Sequence, residues 1–532
     1  MPDGNEPTKF ASFVERLRLP ACYPHPAGEV ELLETHISWV LLAGEYAYKL
    51  KKPVSLGFVD FSTLESRRFY CEEELRLNRR TAPDLYLEVV PITGTPDSPV
   101  IGGTGPVIDY AVKMRRFPQE ALLDRVAKAG ELTAATVDAF ARSVASFHGR
   151  VARAGRDGAF GAPPEILAEA VDNFAQLELL EGPEDARGSR QALCSWTLGE
   201  FNRLEPLFAR RKREGFVREC HGDLHLGNVA LLAGEPVAFD AIEFNEAFRW
   251  VDVMNEVAFP VMDLFHHGLP RLARRFLDAY LDATGDFDGL RVLRFYTVYR
   301  AMVRAKVSCI RAHQAGMEAA SREQSARACR GHLDLAGKLA RPAATALIVM
   351  HGLSGSGKTT VSQALVEELG AIRLRSDVER KRLHGLEAGA RTHSAPGGGI
   401  YTAEADRLTY GRLATLAGQV LDAGYPVVVD AAFLRSAWRE MFREFARERN
   451  APFVLVACAA PEETLRARIE ERERRASDAS EAGSAVLARQ IATLETLAAG
   501  ELDAAVIVDS TAPGDQPMQV ARRIASRLGV PV

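Results

Sequence analysis

Long apolar runs are missing from this 532-residue chain, and nothing in it approaches the ~18 uninterrupted residues that a membrane-spanning helix requires. That sets the membrane class aside. Paired cysteines are missing too. The seven cysteines (Cys22, Cys71, Cys194, Cys220, Cys309, Cys329 and Cys458) stand singly, and none forms the C-x-x-C of a zinc or dithiol site. An odd, scattered set of thiols suits a reducing cytoplasm, where the protein is expected to work. Met1 to Glu6 show no basic region running into an apolar stretch, so no secretion signal is expected. An excess of one charge is also absent: 66 Lys and Arg face 71 Asp and Glu, a formal net charge of −5. Residues 341–532 carry 24 acidic and 24 basic side chains, so the whole imbalance falls on residues 1–340. Without a positive field, nucleic acid is not an expected partner. There is no internal repeat; Gly397-Gly398-Gly399 and Ala476 to Ser480 read as loops.

What is present is the composition of a globular protein, 47% hydrophobic and 26% charged, on a chain too long for one core. The densest signal is Gly352-Leu353-Ser354-Gly355-Ser356-Gly357-Lys358-Thr359, followed by Thr360. Before it, Thr345 to Met350 reads as a short buried strand. After it, Val361, Leu365 and Leu369 mark one helix face, which stops at Gly370. A tight glycine loop between strand and helix points backbone N–H groups at phosphate oxygens, and the helix N-terminus adds partial positive charge. Lys358 is placed to reach the β- and γ-phosphates, and the Thr359 hydroxyl to coordinate Mg²⁺. This part of the chain is expected to bind ATP. Further apolar runs at Pro426 to Val429, Phe453 to Ala457 and Ala504 to Val508, separated by helical segments, predict a parallel α/β sheet. Ala371 to Asp377 places Asp377 at a strand end, and Asp430 ends another strand, where ligands of such sheets sit.

A second cluster, His221-Gly222-Asp223-Leu224-His225-Leu226-Gly227-Asn228, precedes the run Val237-Ala238-Phe239-Asp240. Kinase chemistry needs a loop Asp to take the proton of the attacking hydroxyl, an Asn five residues on for one Mg²⁺, and a later Asp for Mg²⁺ between phosphates. Asp223, Asn228 and Asp240 match those roles in order and spacing.

This pattern resembles the aminoglycoside phosphotransferase branch of the protein-kinase-like superfamily, with His225 and Gly227 closer to the small-molecule kinases than to the protein kinases. The resemblance implies that Lys49, in Tyr46 to Leu50, grips the nucleotide and that the helix Arg67 to Asn78 supplies its acidic partner, Glu74, with Glu73 as the alternative. Tyr110 to Met114 resembles the strand leading to the hinge. No G-x-G-x-x-G precedes Lys49; only Gly44 sits in the turn before it. Downstream, Ser376-Asp377-x-x-Arg380 resembles the small P-loop kinases (gluconate kinase and zeta-toxin-like kinases). That implies Asp377 as base, Arg380 as a substrate contact, Asp430 as the acid behind Mg²⁺, and a lid over Leu465 to Arg472 offering Arg468 and Arg472. Arg300, Arg304 and Lys306 form a basic group read either as a solvated face or as an anion-holding wall.

The whole resembles a bacterial fusion of an aminoglycoside-phosphotransferase-like domain over residues 1–340 (small lobe about 30–118, large lobe about 119–340) with a P-loop kinase domain over 345–532. The expected fold class is therefore multidomain, an α+β bilobal kinase-like domain followed by an α/β P-loop domain. The expected activity is ATP- and Mg²⁺-dependent phosphoryl transfer to hydroxyls of small molecules, with Asp223 and Asp377 as the two bases. Three alternatives stay open: a regulatory, nucleotide-binding first half; a nucleic-acid end kinase or toxin-like nucleotide-sugar kinase in the second half; and a motor-type ATPase.

Overall fold

The computed structural model describes residues 6–56, 59–180, 187–314, 317–388, 390, 398–475 and 483–529. Gly397 and Ala476 to Ser480, expected as loops, lie outside the described residues. Contacts divide the chain into two compact units, residues 1–169 with 205–263, and 170–204 with 264–532.

In the first unit, α1 (Glu6–Leu17) leads to β1 (Glu31–Glu34), β2 (Ser38–Ala43) and β3 (Tyr46–Lys51). Gly44 and Glu45 close the β2–β3 hairpin. Gly44 has φ +59°, and a Cβ there would meet the Pro26 carbonyl oxygen at 2.5 Å, so glycine is required at this turn. A small hairpin, β4 (Ser55–Leu56) with β5 (Val59–Asp60), precedes α2 (Leu64–Asn78), whose N-cap Thr63 accepts the Ser66 N–H. Then follow β6 (Tyr86–Thr95), β7 (Ser98–Ile101) and β8 (Val107–Arg115). The antiparallel sheet runs β1-β2-β3-β8-β6-β7. One face packs on Phe13, Val14 and Leu17, all on α1; the other packs on Cys71 of α2, with Ala47, Tyr86 and Val112. The alternation of strand side chains sends Ala47 and Lys49 to the α2 face and Tyr48 and Leu50 to the other.

Two helices follow, α3 (Leu123–Lys128) and α4 (Ala134–Arg150), then α5 (Pro163–Leu179) and α6 (Arg187–Arg213), through both of which the division between the units passes. β9 (Val217–Glu219) pairs with β12 (Trp250–Asp252), and between them the hairpin β10 (Val229–Leu232) and β11 (Glu235–Ala238) carries the second cluster of the sequence. Helix α7 (Val253–His266) follows.

The second unit contains α8 (Pro270–Thr284), α9 (Leu290–Ala312) and α10 (Ala319–Leu339), then an α/β sheet. Its elements are β13 (Leu347–His351), α11 (Lys358–Leu369), β14 (Ile372–Arg375), α12 (Ser376–Leu383), α13 (Ala403–Asp422), β15 (Val427–Asp430), α14 (Ser436–Glu448) and β16 (Phe453–Ala459). After these come α15 (Glu462–Arg475), α16 (Ser484–Thr493), α17 (Ala499–Ala504), β17 (Val506–Asp509) and α18 (Pro517–Arg527). All five strands are parallel in the order β14-β15-β13-β16-β17. Ile348, Met350, Val454 and Val456 face α11 and α18 in one core, while Leu347, Val349 and the whole run Val427 to Val429 are also buried. Strands buried on both faces are continuous apolar runs, as parallel sheets require.

Candidate functional site

In the first unit the polar groups converge on two ends of the sheet. Lys49 Nζ lies 2.8 Å from Glu74 Oε1 on α2 and also bonds Asp240. Glu73, the alternative partner, faces Arg76 and Arg249 instead. Glu74 is shared: its other oxygen binds Lys51, which also pairs with Glu243, and Lys51, Glu74 and Glu243 are all buried. Asn78 on α2 donates to the Glu74 carbonyl at 2.9 Å and accepts the Ala241 N–H at 2.8 Å, tying the helix to the segment after Asp240. Asp240 itself has φ +64°, a conformation that aspartate tolerates better than most residues, and its N–H donates to Tyr86 Oη at 3.2 Å. Burial works to raise its carboxyl, yet Lys49 holds it below the usual carboxylate range. Its side chain remains 41% exposed, so the anion is open to a ligand.

Asn228 Nδ2 donates to the Asp223 carbonyl oxygen at 2.9 Å and to Asp223 Oδ2 at 3.1 Å, and His225 Nε2 lies 3.5 Å from the same carboxylate oxygen. With Nδ2 committed, Oδ1 is the Asn228 atom that could be offered to a cation, and oxygen donors of this kind, like the Asp240 carboxylate, are those that Mg²⁺ takes. The loop carrying these residues hangs from α7. Glu256 Oε2 accepts the N–H groups of His221 and Gly222, each at 2.7 Å, and Asp263 accepts the Leu226 N–H at 2.9 Å. His148 of α4 holds the other Glu256 oxygen at 3.0 Å. His221 bonds the Phe239 carbonyl through Nε2 at 2.8 Å, so Nε2 carries the proton and Nδ1 accepts the Asp223 N–H at 3.3 Å. Burial pulls the His221 pKa below its ordinary value.

Lys51, Glu243, Glu256, Asp263 and His148 were not picked out from the sequence. Glu256 and Asp263 did leave a signal: two acids seven residues apart in Val253-Met254-Asn255-Glu256-Val257-Ala258-Phe259-Pro260-Val261-Met262-Asp263, a run otherwise apolar except for Asn255. Acids in a buried helix must have partners.

In the second unit the glycine loop forms a cradle between β13 and α11. Gly352, Gly355 and Gly357 have φ +139°, +83° and +92°, and a Cβ at Gly352 would meet the Cys458 carbonyl oxygen at 2.3 Å. Among the described residues Ser356 Oγ is buried with no hydrogen-bond partner. Lys358 Nζ is turned back to the Leu353 carbonyl at 2.8 Å, and burial lowers its pKa against the pull of Asp430. A part-buried ammonium beside a glycine loop that lines a cavity is what a polyphosphate would engage.

The cradle opens into a cavity of about 640 Å³, also lined by Thr359, Thr360, Asp377, Arg380, Asp430, Arg468 and Arg472. Asp430 Oδ2 accepts the Ser362 hydroxyl at 3.0 Å, and with Thr359 it forms the oxygen pair available to Mg²⁺. Arg380 lines this cavity but is engaged, with Asp406 at 2.8 Å and the Ile400 carbonyl at 3.0 Å. Arg468 buckles α15 to the cradle, donating to the Gly355 carbonyl at 3.1 Å and to Ser510 Oγ at 2.7 Å. Gln490 of α16 accepts the Ser354 N–H at 2.8 Å. Of the other basic group, Arg300 is buried in α9, and Lys306 lies 3.7 Å from Asp172.

The second unit thus has the fold of a P-loop domain, a glycine loop between a strand of a parallel sheet and the helix that follows it, and the first unit sets a Lys–Glu pair on an antiparallel sheet and its helix. A family described as an AAA domain matches residues 347–497. Uncharacterized proteins of Mycobacterium tuberculosis and Mycobacterium bovis are each 32% identical over 477 residues, spanning 88% of this chain and 92% of the relative. The chain belongs to the same family as these mycobacterial proteins. Among solved structures it is similar to a gluconokinase from Sinorhizobium meliloti, at 25% identity over 36% of this chain and 98% of that one, with a TM-score of 0.26. It is also similar to a choline/ethanolamine kinase family protein from Mesorhizobium loti, at 12% identity over 62% of this chain and 98% of that one, with a TM-score of 0.34. Among the described residues no helix is long and apolar enough to cross a membrane.

Proposed function

We propose that this phosphotransferase has two working ATP·Mg²⁺ sites, each moving the γ-phosphoryl group to a hydroxyl of a small molecule. The observation that carries the second site is the cradle itself, with Gly355, Gly357 and Lys358 lining one cavity with Asp430 and Asp377. In this reading Lys358 and the loop amides hold the triphosphate, Thr359 and Asp430 hold Mg²⁺, and Asp377 takes the acceptor proton. Mg²⁺ would supply charge neutralisation on the phosphates; positioning falls to the protein.

For the first site, the carrying observation is that Lys49 bridges Glu74 and Asp240 while Asn228 bonds Asp223. Lys49 would grip the nucleotide, Asn228 and Asp240 would hold Mg²⁺, and Asp223 would orient and deprotonate the acceptor. A regulatory reading of this half draws on one observation. The β1–β2 connection is only residues 35–37, with Thr35 Oγ1 accepting the Ser38 N–H at 3.0 Å, so no glycine loop covers phosphates there.

The test is a screen of γ-labelled ATP against a metabolite extract, run with Asp223→Ala and Lys358→Ala in separate full-length proteins. Two non-overlapping sets of lost products, each reduced by about 10²-fold or more, are expected. Products that all survive Asp223→Ala would leave the first half regulatory.

A further inference from the structure

Helix α8 lies upstream of the phosphate loop in sequence, and its charged stripe would ordinarily face solvent. Arg271, Arg274, Arg275, Asp278 and Asp282 share one face, at helical spacings of three and four. In the second unit that stripe is spent on the P-loop fold. At its N-terminal half, Arg274 Nη1 donates to the carbonyls of Glu367 and Glu368, both at 2.7 Å, at the C-terminal end of α11. Arg275 pairs with Glu367 at 2.8 Å, and Arg271 pairs with Glu368. These groups satisfy the orphan carbonyls, and complement the negative end, of the helix whose other end is the phosphate loop.

At its C-terminal half, α8 grips β14, the strand that ends one residue before Ser376 and two before Asp377. Asp278 Oδ2 lies 2.7 Å from Arg373 Nη2, with both side chains buried or nearly so. Asp282 Oδ2 lies 3.4 Å from Arg375 Nη1, and Arg375 lines the cavity beside Asp377. The Asp282 carbonyl accepts from Arg382 of α12 at 2.8 Å. Gly285, in the left-handed cap of α8, lets Arg382 lie flush; a Cβ there would meet its Nε at 2.8 Å.

We propose that α8 is a working part of the P-loop site: Asp282 and Asp278, by holding Arg375 and Arg373, are positioning residues that set the acceptor side of the cavity and the placement of Asp377. This rests on the kinase reading of that site. Side-chain placement within about 0.5–1 Å decides transfer rates, because near-attack geometry is worth orders of magnitude. Nucleotide binding, assigned to the glycine loop and Lys358, does not depend on these pairs.

The test uses the full-length chain in an Asp223→Ala background, so that only the second site turns over. Labelled ATP and serial dilutions of one metabolite extract give a maximal rate and a half-saturating dilution; a fluorescent ATP analogue gives nucleotide affinity. Asp282→Ala is expected to lower the maximal rate or shift half-saturation by about 10–100-fold, with nucleotide affinity held within about twofold. Asp282→Glu is expected to restore most of the loss. Unchanged transfer in Asp282→Ala overturns the inference. So does a parallel loss of nucleotide affinity and thermal midpoint, which marks a merely structural contact. If the Asp223→Ala parent shows no transfer that Lys358→Ala abolishes, the kinase reading itself falls, and this inference with it.

Discussion

The loop from His221 to Asn228 hangs from two carboxylates of α7, Asp263 under Leu226 and Glu256 under its first two residues. Glu256 takes two backbone N–H groups and one imidazole, so truncating it strands three buried donors. At roughly 1–3 kcal/mol each, that loss threatens the fold of the unit, not only the rate. His221 gives the loop a pH dependence whose sign can be stated. Burial lowers its folded pKa below the ordinary 6.5, so below pH 6.5 the unfolded chain binds that proton more readily than the folded one. The stability it contributes is present above pH 6.5 and is lost as pH falls through the folded value. Glu256 acts in the same direction at lower pH: against the pull of burial, His148 and His221 hold its carboxyl below 4.5. Amide exchange of residues 221–228 should therefore accelerate as pH drops from 7.5 to 5.5, after correction for intrinsic rates. The effect should amount to no more than about tenfold per pH unit, and His221→Gln should flatten it. Equal slopes in the two proteins would refute the assignment.

At the scale of elements, what was legible in the sequence was what is local. The strand, glycine loop and helix from Leu347 to Leu369 are adjacent in the chain, and their glycines, Lys358 and the stop at Gly370 can be read without tertiary information. Likewise Asp223 and Asn228 are one loop apart and meet by a hydrogen bond. The Lys49–Glu74 pair was within reach only through the family resemblance, which pairs a strand lysine with an acid on the following helix. The Lys51–Glu243 pair was not, since its partners are separated by 192 residues and neither lies in a motif. The stripe on α8 was not legible at all, because only packing shows which elements Arg271, Arg274, Arg275, Asp278 and Asp282 meet. The cradle yields a sharp prediction: Gly352→Ala must push against the Cys458 carbonyl in a backbone conformation that alanine rarely adopts. It should weaken nucleotide binding at the second site by about tenfold or more, measured by fluorescent-nucleotide titration of a protein carrying Asp240→Ala. Wild-type affinity in that protein would show that the loop relaxes.

For the molecule as a whole, the proposal of two nucleotide sites makes a stoichiometric prediction. Calorimetry with a non-hydrolysable ATP analogue and Mg²⁺ should resolve two binding events per chain; Lys358→Ala should erase one and Lys49→Ala the other. A single event abolished by Lys358→Ala would reduce the first half to a nucleotide-free scaffold. The sequence also suggests where to divide the protein, at Pro342 between α10 and β13. Helix α8 makes that cut hazardous. Arg373 is almost wholly buried, and Asp278 is the carboxylate beside it. A fragment beginning after the proline would lose that ion pair together with the helix that packs on Arg373 and β14. It would also lay bare the frayed end of α11. Material prepared that way should come out sticky and short-lived, so its failure to turn over would say little about the enzyme from which it was cut.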